Sequence, residues 1–191
     1  EAAVSTGGNE YLPTLLEGIQ AQKRVWFMYT SFQQQQSKPR KVSPLFLKEY
    51  RNRWYLICFD LQKQDISTFA LDRMSELQLL EEPSEIPSDF NAALYFQNAV
   101  GITAYRGKPE SIILKADPVA ARYISSQAFH SSQKLLKVDG DAHYFELSIL
   151  LSEEFIRNLL GYAGEVEVVE PLALRNIMKE RATALLKRYQ K

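Results

Sequence analysis

The feature that most constrains the fold is a dense run of strand-like segments between Val25 and Leu80. The segments are rich in β-branched and aromatic residues, and short polar connections separate them, which is typical of hairpins. The five predicted strands are Val25–Phe32, Lys41–Glu49, Arg53–Asp60, Asp65–Leu71 and Met74–Leu80. A helix over Tyr11–Lys23 precedes them, and the polar residues from Gln33 to Pro39 are predicted to form a loop. This density of strands predicts a small, strongly bent antiparallel β-barrel.

The composition changes after this run. Glu81–Pro87 holds three glutamates and two prolines, which predicts the exit from a first domain. Ser88–Phe96 suits a short helix with Ser88 as its N-cap. The predicted organisation is a first domain over residues 10–82, a linker with a short helix over 83–109, and a second domain over 110–191.

The second domain alternates strands with helices. The predicted strands are Ser111–Ala116, Lys134–Val138, His143–Leu150 and Val166–Val169. Asp117 and Ser152 are placed to cap two helices, and a third, longer helix follows Pro171. The order β-α-β-β-α-β predicts a ferredoxin-like domain with an extra C-terminal helix, within an α+β chain. That last helix carries one apolar stripe, formed by Leu174, Ile177, Met178, Leu185 and Tyr189.

Several classes of protein are excluded. No run of about 18 or more apolar residues occurs, so no membrane span is expected, and no signal peptide pattern opens the chain. The lone cysteine, Cys58, fits a reducing, cytoplasmic location. Motifs of P-loops, dinucleotide sites, serine hydrolases and zinc proteases are missing. His130 and His143 are too isolated for a zinc site, and the pair Glu153-Glu154 fits helix capping better than catalysis. We therefore expect no enzymatic activity, cofactor or metal.

Charge is balanced overall but not locally. The chain has 23 basic and 23 acidic residues, which excludes a general attraction to polyanions. Between Lys38 and Arg53, however, six basic residues accompany a single acidic one, Glu49. This stretch is either a binding surface or the solvated face of a hairpin, and the sequence leaves both open.

Three segments of the first half resemble the WYL domain family, which is named for a Trp-Tyr-Leu triplet. The triplet occupies residues 54–56, residues 40–44 resemble the family's R-x-V-x-P segment, and residues 69–74 resemble its F-x-L-D-R-I segment. Residues 100–102, 130–133 and 161–166 resemble the C-terminal extension that usually follows a WYL domain. The resemblance implies the sensing region of a bacterial transcriptional regulator, with an Sm-like or SH3-like barrel. The N-terminal winged helix-turn-helix usual in the family is absent from this sequence.

The resemblance also implies a basic and aromatic groove for a small anionic or nucleotide-like effector. Carried over onto this sequence, its residues are Tyr29, Arg40, Tyr55, Phe69 and Arg73. Arginine forks bind phosphate in bidentate fashion, and aromatic rings stack on bases. Structural alternatives stay open for both residues: Arg73 pairs with Asp72 or with a backbone carbonyl at the bend, and Phe69 is wholly structural. Strand alternation allows only one face of residues 53–58 to meet the core, and we assign Trp54 and Leu56 to it.

The expected partners follow from the same comparison. Many relatives carry arginines at the positions of Ser67 and Ala70, so this groove is expected to prefer a smaller ligand over a phosphate backbone. A direct single-stranded nucleic-acid module is the alternative, with a stripe formed by Arg40, Arg51, Arg53 and Arg73. Duplex DNA is expected to be contacted only through the missing N-terminal domain. A homodimer is expected through the half after Pro109, unless its own sheet buries the whole stripe of the last helix.

Overall fold

The chain forms two compact units that meet in sequence between Ala92 and Ala93. The computed structural model describes residues 7–32, 36–104 and 107–190. Each unit contains one antiparallel sheet, so the predicted α+β class with two sheets is confirmed. Within the described residues, no helix is both long and apolar enough to cross a membrane.

The first unit is a helix followed by a five-stranded sheet with the order β4-β3-β2-β1-β5. A short 3₁₀ turn, Asn9–Tyr11, leads into the helix, and a second one, Leu71–Arg73, separates the last two strands. The elements are α1 (Leu12–Gln20), β1 (Lys23–Thr30), β2 (Ser37–Tyr50), β3 (Arg53–Asp60), β4 (Asp65–Ala70) and β5 (Met74–Pro83).

Strand β2 is long because it serves two neighbours in succession. It pairs with β1 from Ser37 to Val42 and with β3 from Val42 to Tyr50, and its register shifts after Pro44. The predicted loop is therefore wrong for residues 37–39, which belong to β2, while residues 33–35 lie outside the described part. Pro39 is tolerated there because this part of β2 has β1 as its only neighbouring strand. On its other edge there is no strand to which a backbone N–H would have to donate.

The core of the first unit lies between α1 and one face of the sheet. Leu56 and Cys58 are fully buried in it and Trp54 packs against it, which confirms the predicted face of β3. Burial, aided by the nearby Asp60, raises the pKa of the Cys58 thiol well above its usual value. Cys58 is thus a core residue with an unreactive thiol.

Gly8 is held against the turn that ends β4. Its φ of 96° lies in the left-handed region, and a Cβ at this position would stand 2.4 Å from the carbonyl carbon of Leu71. Only glycine allows this approach without displacing one backbone or the other. The segment before α1 is thereby packed against the turn Leu71–Arg73.

The second unit has a four-stranded sheet with the order β7-β8-β6-β9 and all neighbours antiparallel. This is the ferredoxin-like order that the alternation of elements predicted, with one helix added. Asp117 accepts hydrogen bonds from the N–H groups of Val119 and Ala120, and Ser152 accepts one from Phe155, so both predicted caps are confirmed. The elements are α2 (Ala92–Tyr95), β6 (Glu110–Ala116), α3 (Pro118–Ser126), β7 (Lys134–Asp139), β8 (Ala142–Ile149), α4 (Glu153–Leu160), β9 (Val166–Glu170) and α5 (Leu172–Tyr189).

The connection between the units differs from its prediction. Strand β5 continues to Pro83, and the helix predicted over residues 88–96 shrinks to the four residues of α2. Ser88 is therefore not an N-cap. It lies in a turn closed by a hydrogen bond from the Phe90 N–H to the carbonyl of Pro87, and the Phe90 ring stacks on Phe46. A tertiary contact thus overrides the local helix signal.

Helix α5 buries only the beginning of its stripe. Leu174 is fully buried, and Ile177 and Met178 pack against the core of the second unit. Leu185 and Tyr189 remain 57% and 80% exposed. The sheet of the second unit therefore does not absorb the distal half of the stripe.

Candidate ligand site at one end of the first sheet

The site is built on an aromatic pair at one end of the first sheet. Tyr29, near the end of β1, and Phe69, near the end of β4, meet edge to face with ring centroids 4.7 Å apart. Phe27, two residues before Tyr29 and thus on the same strand face, contacts both rings. All three side chains are buried, and the Tyr29 hydroxyl accepts a hydrogen bond from the Ala70 N–H at 3.4 Å. The pair is therefore a firmly held, buried aromatic cluster at the margin of the core, so the alternative of a core position for Phe69 is realised.

Two guanidinium groups lie over this pair. The Arg40 guanidinium carbon is 5.9 Å from the Phe69 centroid, and that of Arg73 is 5.3 Å from the Tyr29 centroid. Arg40 comes from β2, where it pairs with Phe27 and so shares its face. These are cation–π distances. The structure thus brings together four of the five residues that the resemblance indicated.

The fifth residue, Tyr55, stands apart from this row. It alternates along β3 with Leu56, the residue that pairs with Phe69, so its side chain leaves the strand on the opposite face. Its phenol still lies within electrostatic range of Tyr29, whose pKa it helps to raise. The register of β3 therefore places Tyr55 beside the site rather than in its aromatic row.

Asp72 links two arginines next to the pair. Its side chain is 15% exposed; one carboxylate oxygen lies 3.2 Å from Arg53 Nε and the other 4.0 Å from Arg73 Nε. Arg73 thus forms the ion pair with Asp72 that the sequence left open, at the long distance of 4.0 Å. The same guanidinium also stacks on Tyr29. With one carboxylate among Arg40, Arg53 and Arg73, the cluster keeps a net positive charge.

Both stacked arginines retain an unused donor. The Nε atoms of Arg40 and Arg73 are buried and have no hydrogen-bond partner among the described residues. Arg40 also donates through Nη1 to Gln62 at 3.2 Å. A buried donor without an acceptor costs about 1–3 kcal/mol. An anion that supplied oxygen acceptors there would remove that cost.

The Tyr29 phenol does not add a negative charge to the site. Burial raises its pKa above the ordinary value, and the opposing attraction of Arg73 is smaller. The phenol therefore stays neutral at physiological pH. The positive charge of Arg73 remains available to a ligand.

Sequence reasoning missed Phe32 and named Lys38 only as the start of the basic stretch. Phe32 lies in a bend just after β1, is 76% exposed, and has the Arg73 guanidinium 4.5 Å from its ring centroid. Lys38 is exposed and pairs directly with Tyr29 across the β1–β2 ladder. The signal for Phe32 was its position as a lone aromatic residue beside a polar segment. The sequence placed it at the end of the first strand, whereas β1 ends at Thr30.

The histidine and the first-turn acid of the second unit that the sequence singled out have structural partners. The His130 ring nitrogens contact the Ser132 hydroxyl and the Gln97 carbonyl, both at 2.8 Å. Glu153 pairs with Arg157 and Arg181 within the same unit. No group of three or more His, Cys, Asp or Glu residues that could hold a metal occurs in the described ranges. The cluster at the first sheet is accordingly the stronger candidate site.

Two protein families match this chain over most of its length. The WYL domain matches residues 10–79, and the WCX domain matches residues 108–186. The matches follow one another in the order of the two structural units.

Among solved structures, the proteasome accessory factor B/C (PafBC) of Arthrobacter aurescens aligns at 18% identity with a TM-score of 0.43, covering 100% of this chain and 29% of its own. A crystal structure of a CRISPR Cas-related protein aligns at 10% identity with a TM-score of 0.56, covering 96% of this chain and 52% of its own. This chain thus spans about a third and about half of these two chains, and the second likeness shows a shared fold. The two family matches carry the assignment: the chain belongs to the WYL-domain family, with a WCX domain following its WYL domain.

Proposed function

We propose that this chain is the effector-sensing region of a bacterial transcriptional regulator and performs no catalysis. The effector is a small anionic, nucleotide-like molecule bound at Arg40, Arg73 and the aromatic pair Tyr29–Phe69. The observation that carries the proposal is that two guanidinium groups share one aromatic cluster while each keeps a buried Nε–H without a hydrogen bond, that of Arg73 lying 4.0 Å from the Asp72 carboxylate.

The chemistry of the cluster suits a phosphate or carboxylate attached to a flat group. A guanidinium offers a planar set of donors that matches two oxygens of such an anion. The exposed ring of Phe32 adds a surface on which a base can stack. Ser67 and Ala70 of β4 are uncharged and buried, so this strand adds no positive charge to the cluster. A small ligand fits this limited positive charge better than a long phosphate backbone does.

The test compares a fluorescent nucleoside monophosphate with the same nucleoside lacking its phosphate. We expect only the phosphorylated probe to bind measurably. Replacing Arg40 or Arg73 by alanine should weaken it by about 1.5–3 kcal/mol, the range for hydrogen bonds to charged groups. Arg122→Ala, at an exposed position of α3, is the matched control and should change nothing. Equal binding of both probes, or equal loss in the control, would contradict the proposal.

A single-stranded nucleic-acid module is the second candidate. It is favoured by Arg51, whose guanidinium lies 5.4 Å from the Tyr50 ring centroid and extends the basic stripe toward the β2–β3 turn. A salt titration with a labelled oligonucleotide separates the candidates, because each phosphate contact steepens the salt dependence. Tight binding of the oligonucleotide with a steep dependence on salt concentration would favour the nucleic-acid module. Weak binding with little dependence on salt would favour the sensor of a small effector.

We also propose that the region is a homodimer and that contact with duplex DNA belongs to a separate N-terminal domain. Regulators that read paired half-sites are commonly two-fold dimers. Exposed apolar residues on α5, such as Leu185 and Tyr189, support association through the second unit. Sedimentation should detect a dimer at tens of micromolar, and footprinting should detect no sequence-specific protection by this region alone.

A further inference from the structure

Strand β7 forms an edge of the second sheet that is unusually apolar. Within the described residues it pairs only with β8, and all six of its residues are exposed. Leu135, Leu136 and Val138 are 55%, 47% and 53% exposed. An exposed edge with apolar side chains is a template for pairing with another strand, whereas lysines and bulges oppose indiscriminate pairing. Strand β7 has both properties. Lys137 and Asp139 already form an exposed ion pair at 3.6 Å, so a partner strand must accommodate these charges as well as the apolar groups.

The pairing with β8 assigns each residue of β7 to a face. Leu135 and Val138 pair with Phe145 and His143, which share the strand face that points into the helix-covered core. Lys134, Lys137 and Asp139 pair with Glu146, Tyr144 and Ala142 on the opposite, open face. The register shift between Leu135 and Lys137 makes this arrangement possible, because it moves the strand by one residue.

This pattern is complementary to itself. When two copies of β7 lie antiparallel with the two-fold axis between positions 136 and 137, Lys134 faces Asp139 of the other strand and Leu135 faces Val138. Each of these pairs joins residues of the same face, and opposite charges meet twice. Moving the register by one residue pairs different faces, and moving it by two toward the N-terminus sets Lys134 against Lys137. Among these registers, the first one pairs the opposite charges and keeps Leu135 and Val138 on one face, while Leu136 faces Lys137 at the centre.

We propose that β7 is the docking strand for a second copy of this chain, joining the two four-stranded sheets edge to edge. The inference deepens the proposed homodimer by naming its surface, and it is independent of effector binding in the first unit. It also accounts for an exposed apolar edge that carries a lysine and an acid, Lys134 and Asp139, at complementary positions.

The test is a charge exchange followed by sedimentation equilibrium on the whole chain. Lys134→Asp or Asp139→Lys alone turns two attractive pairs into repulsive ones, and we expect the dimer dissociation constant to rise about tenfold or more. The double variant restores opposite charges in reversed order and should return to within about threefold of the parent. Asp141→Lys makes the same charge change in the turn beyond β7 and should have little effect.

Amide hydrogen exchange supplies a second readout. The amides of β7 that point away from β8 should exchange more slowly as protein concentration rises, and this protection should disappear in either single variant. A monomer at tens of micromolar would overturn both the dimer and its proposed surface. A dimer unaffected by the single variants, but dissociated by Leu185→Glu in α5, would overturn the β7 surface alone. Neither result would alter the nucleotide titration in the first unit.

Discussion

The two units differ in what they leave unsatisfied. The first unit buries Ser43, Asp60 and Ser67 and leaves the Nε donors of three arginines, Arg24, Arg40 and Arg73, without a hydrogen bond. In the described part of the second unit, Ser152 is the buried polar residue and is occupied as a helix cap, and one buried oxygen, Oε2 of Glu154, lacks a hydrogen bond. The second unit instead exposes large apolar side chains on β7 and α5. Unmet hydrogen bonding favours a polar ligand, and exposed apolar surface favours association, so the two units are suited to different tasks.

The largest expected effect tests whether the units are energetically separate. Phe27→Ala and Phe155→Ala each remove a fully buried ring and should cost about 3–5 kcal/mol. Both tryptophans, Trp26 and Trp54, lie in the first unit, so urea titration followed by tryptophan fluorescence reports that unit. We expect Phe27→Ala to shift this transition and Phe155→Ala to leave it in place. Equal shifts would mean that the two units unfold as one.

A smaller effect concerns Gly8. Gly8→Ala combines a left-handed backbone with a clash against Leu71 and should cost about 1–3 kcal/mol, limited by the cost of releasing the segment before α1. Gly7→Ala, where a Cβ meets nothing within 4 Å, is the matched control. Urea denaturation measures both. Because the turn Leu71–Arg73 carries Arg73, we also expect Gly8→Ala to weaken the nucleotide probe, whereas a change confined to stability would separate this turn from the site.

The helix caps test the separation of the two units through changes in the second unit. Asp117→Ala and Ser152→Ala remove caps of α3 and α4 and should each destabilise the second unit by about 1 kcal/mol. Hydrogen exchange in β6 and β8 measures the loss. Ser125→Ala, inside α3, should cause none. Nucleotide affinity should stay at the parental value in all three variants, and a decrease would show that the second unit contributes to the site.

The smallest effect is a pH dependence in the first unit. The hydrogen bond from Lys41, followed by that from Arg24, lowers the pKa of Glu82. A depressed carboxyl pKa adds stability above the pKa of the unfolded chain, and this stability is lost as pH falls through the folded value. Glu82→Gln should therefore reduce slightly the stability difference between neutral pH and about pH 3. An unchanged difference in urea denaturation would show that this exposed cluster contributes nothing.

Local chemistry explains what the sequence predicted well. The limits of β3 and the caps at Asp117 and Ser152 depend on residues that act on their immediate neighbours, so they are visible in the sequence. The start of β2 and the loss of a helix at Ser88 depend instead on tertiary contacts, with β1 in one case and with Phe46 in the other. Periodicity carries no information on such contacts.

The candidate site was predictable to a similar degree. The resemblance indicated Tyr29, Arg40, Phe69 and Arg73, which the structure brings together, but their roles in binding stay predictions. Strand alternation alone could not place Tyr55, because the face of β3 that meets Phe69 depends on the register with β4. Phe32 was missed because its importance comes from Arg73, which is far away in sequence.

The pairing of β1 with β5 has a consequence for the order of folding. Neighbouring strands such as β2 and β3 close short loops, but β1 must find β5 across the whole first sheet, as when Tyr29 pairs with Met74. Such distant closures are the slow steps of β-rich domains. Because Arg73 reaches Tyr29 only through this closure, the complete site exists only in chains that have finished it. A ligand that binds there would therefore bind only the folded state, and it would stabilise the first unit against unfolding.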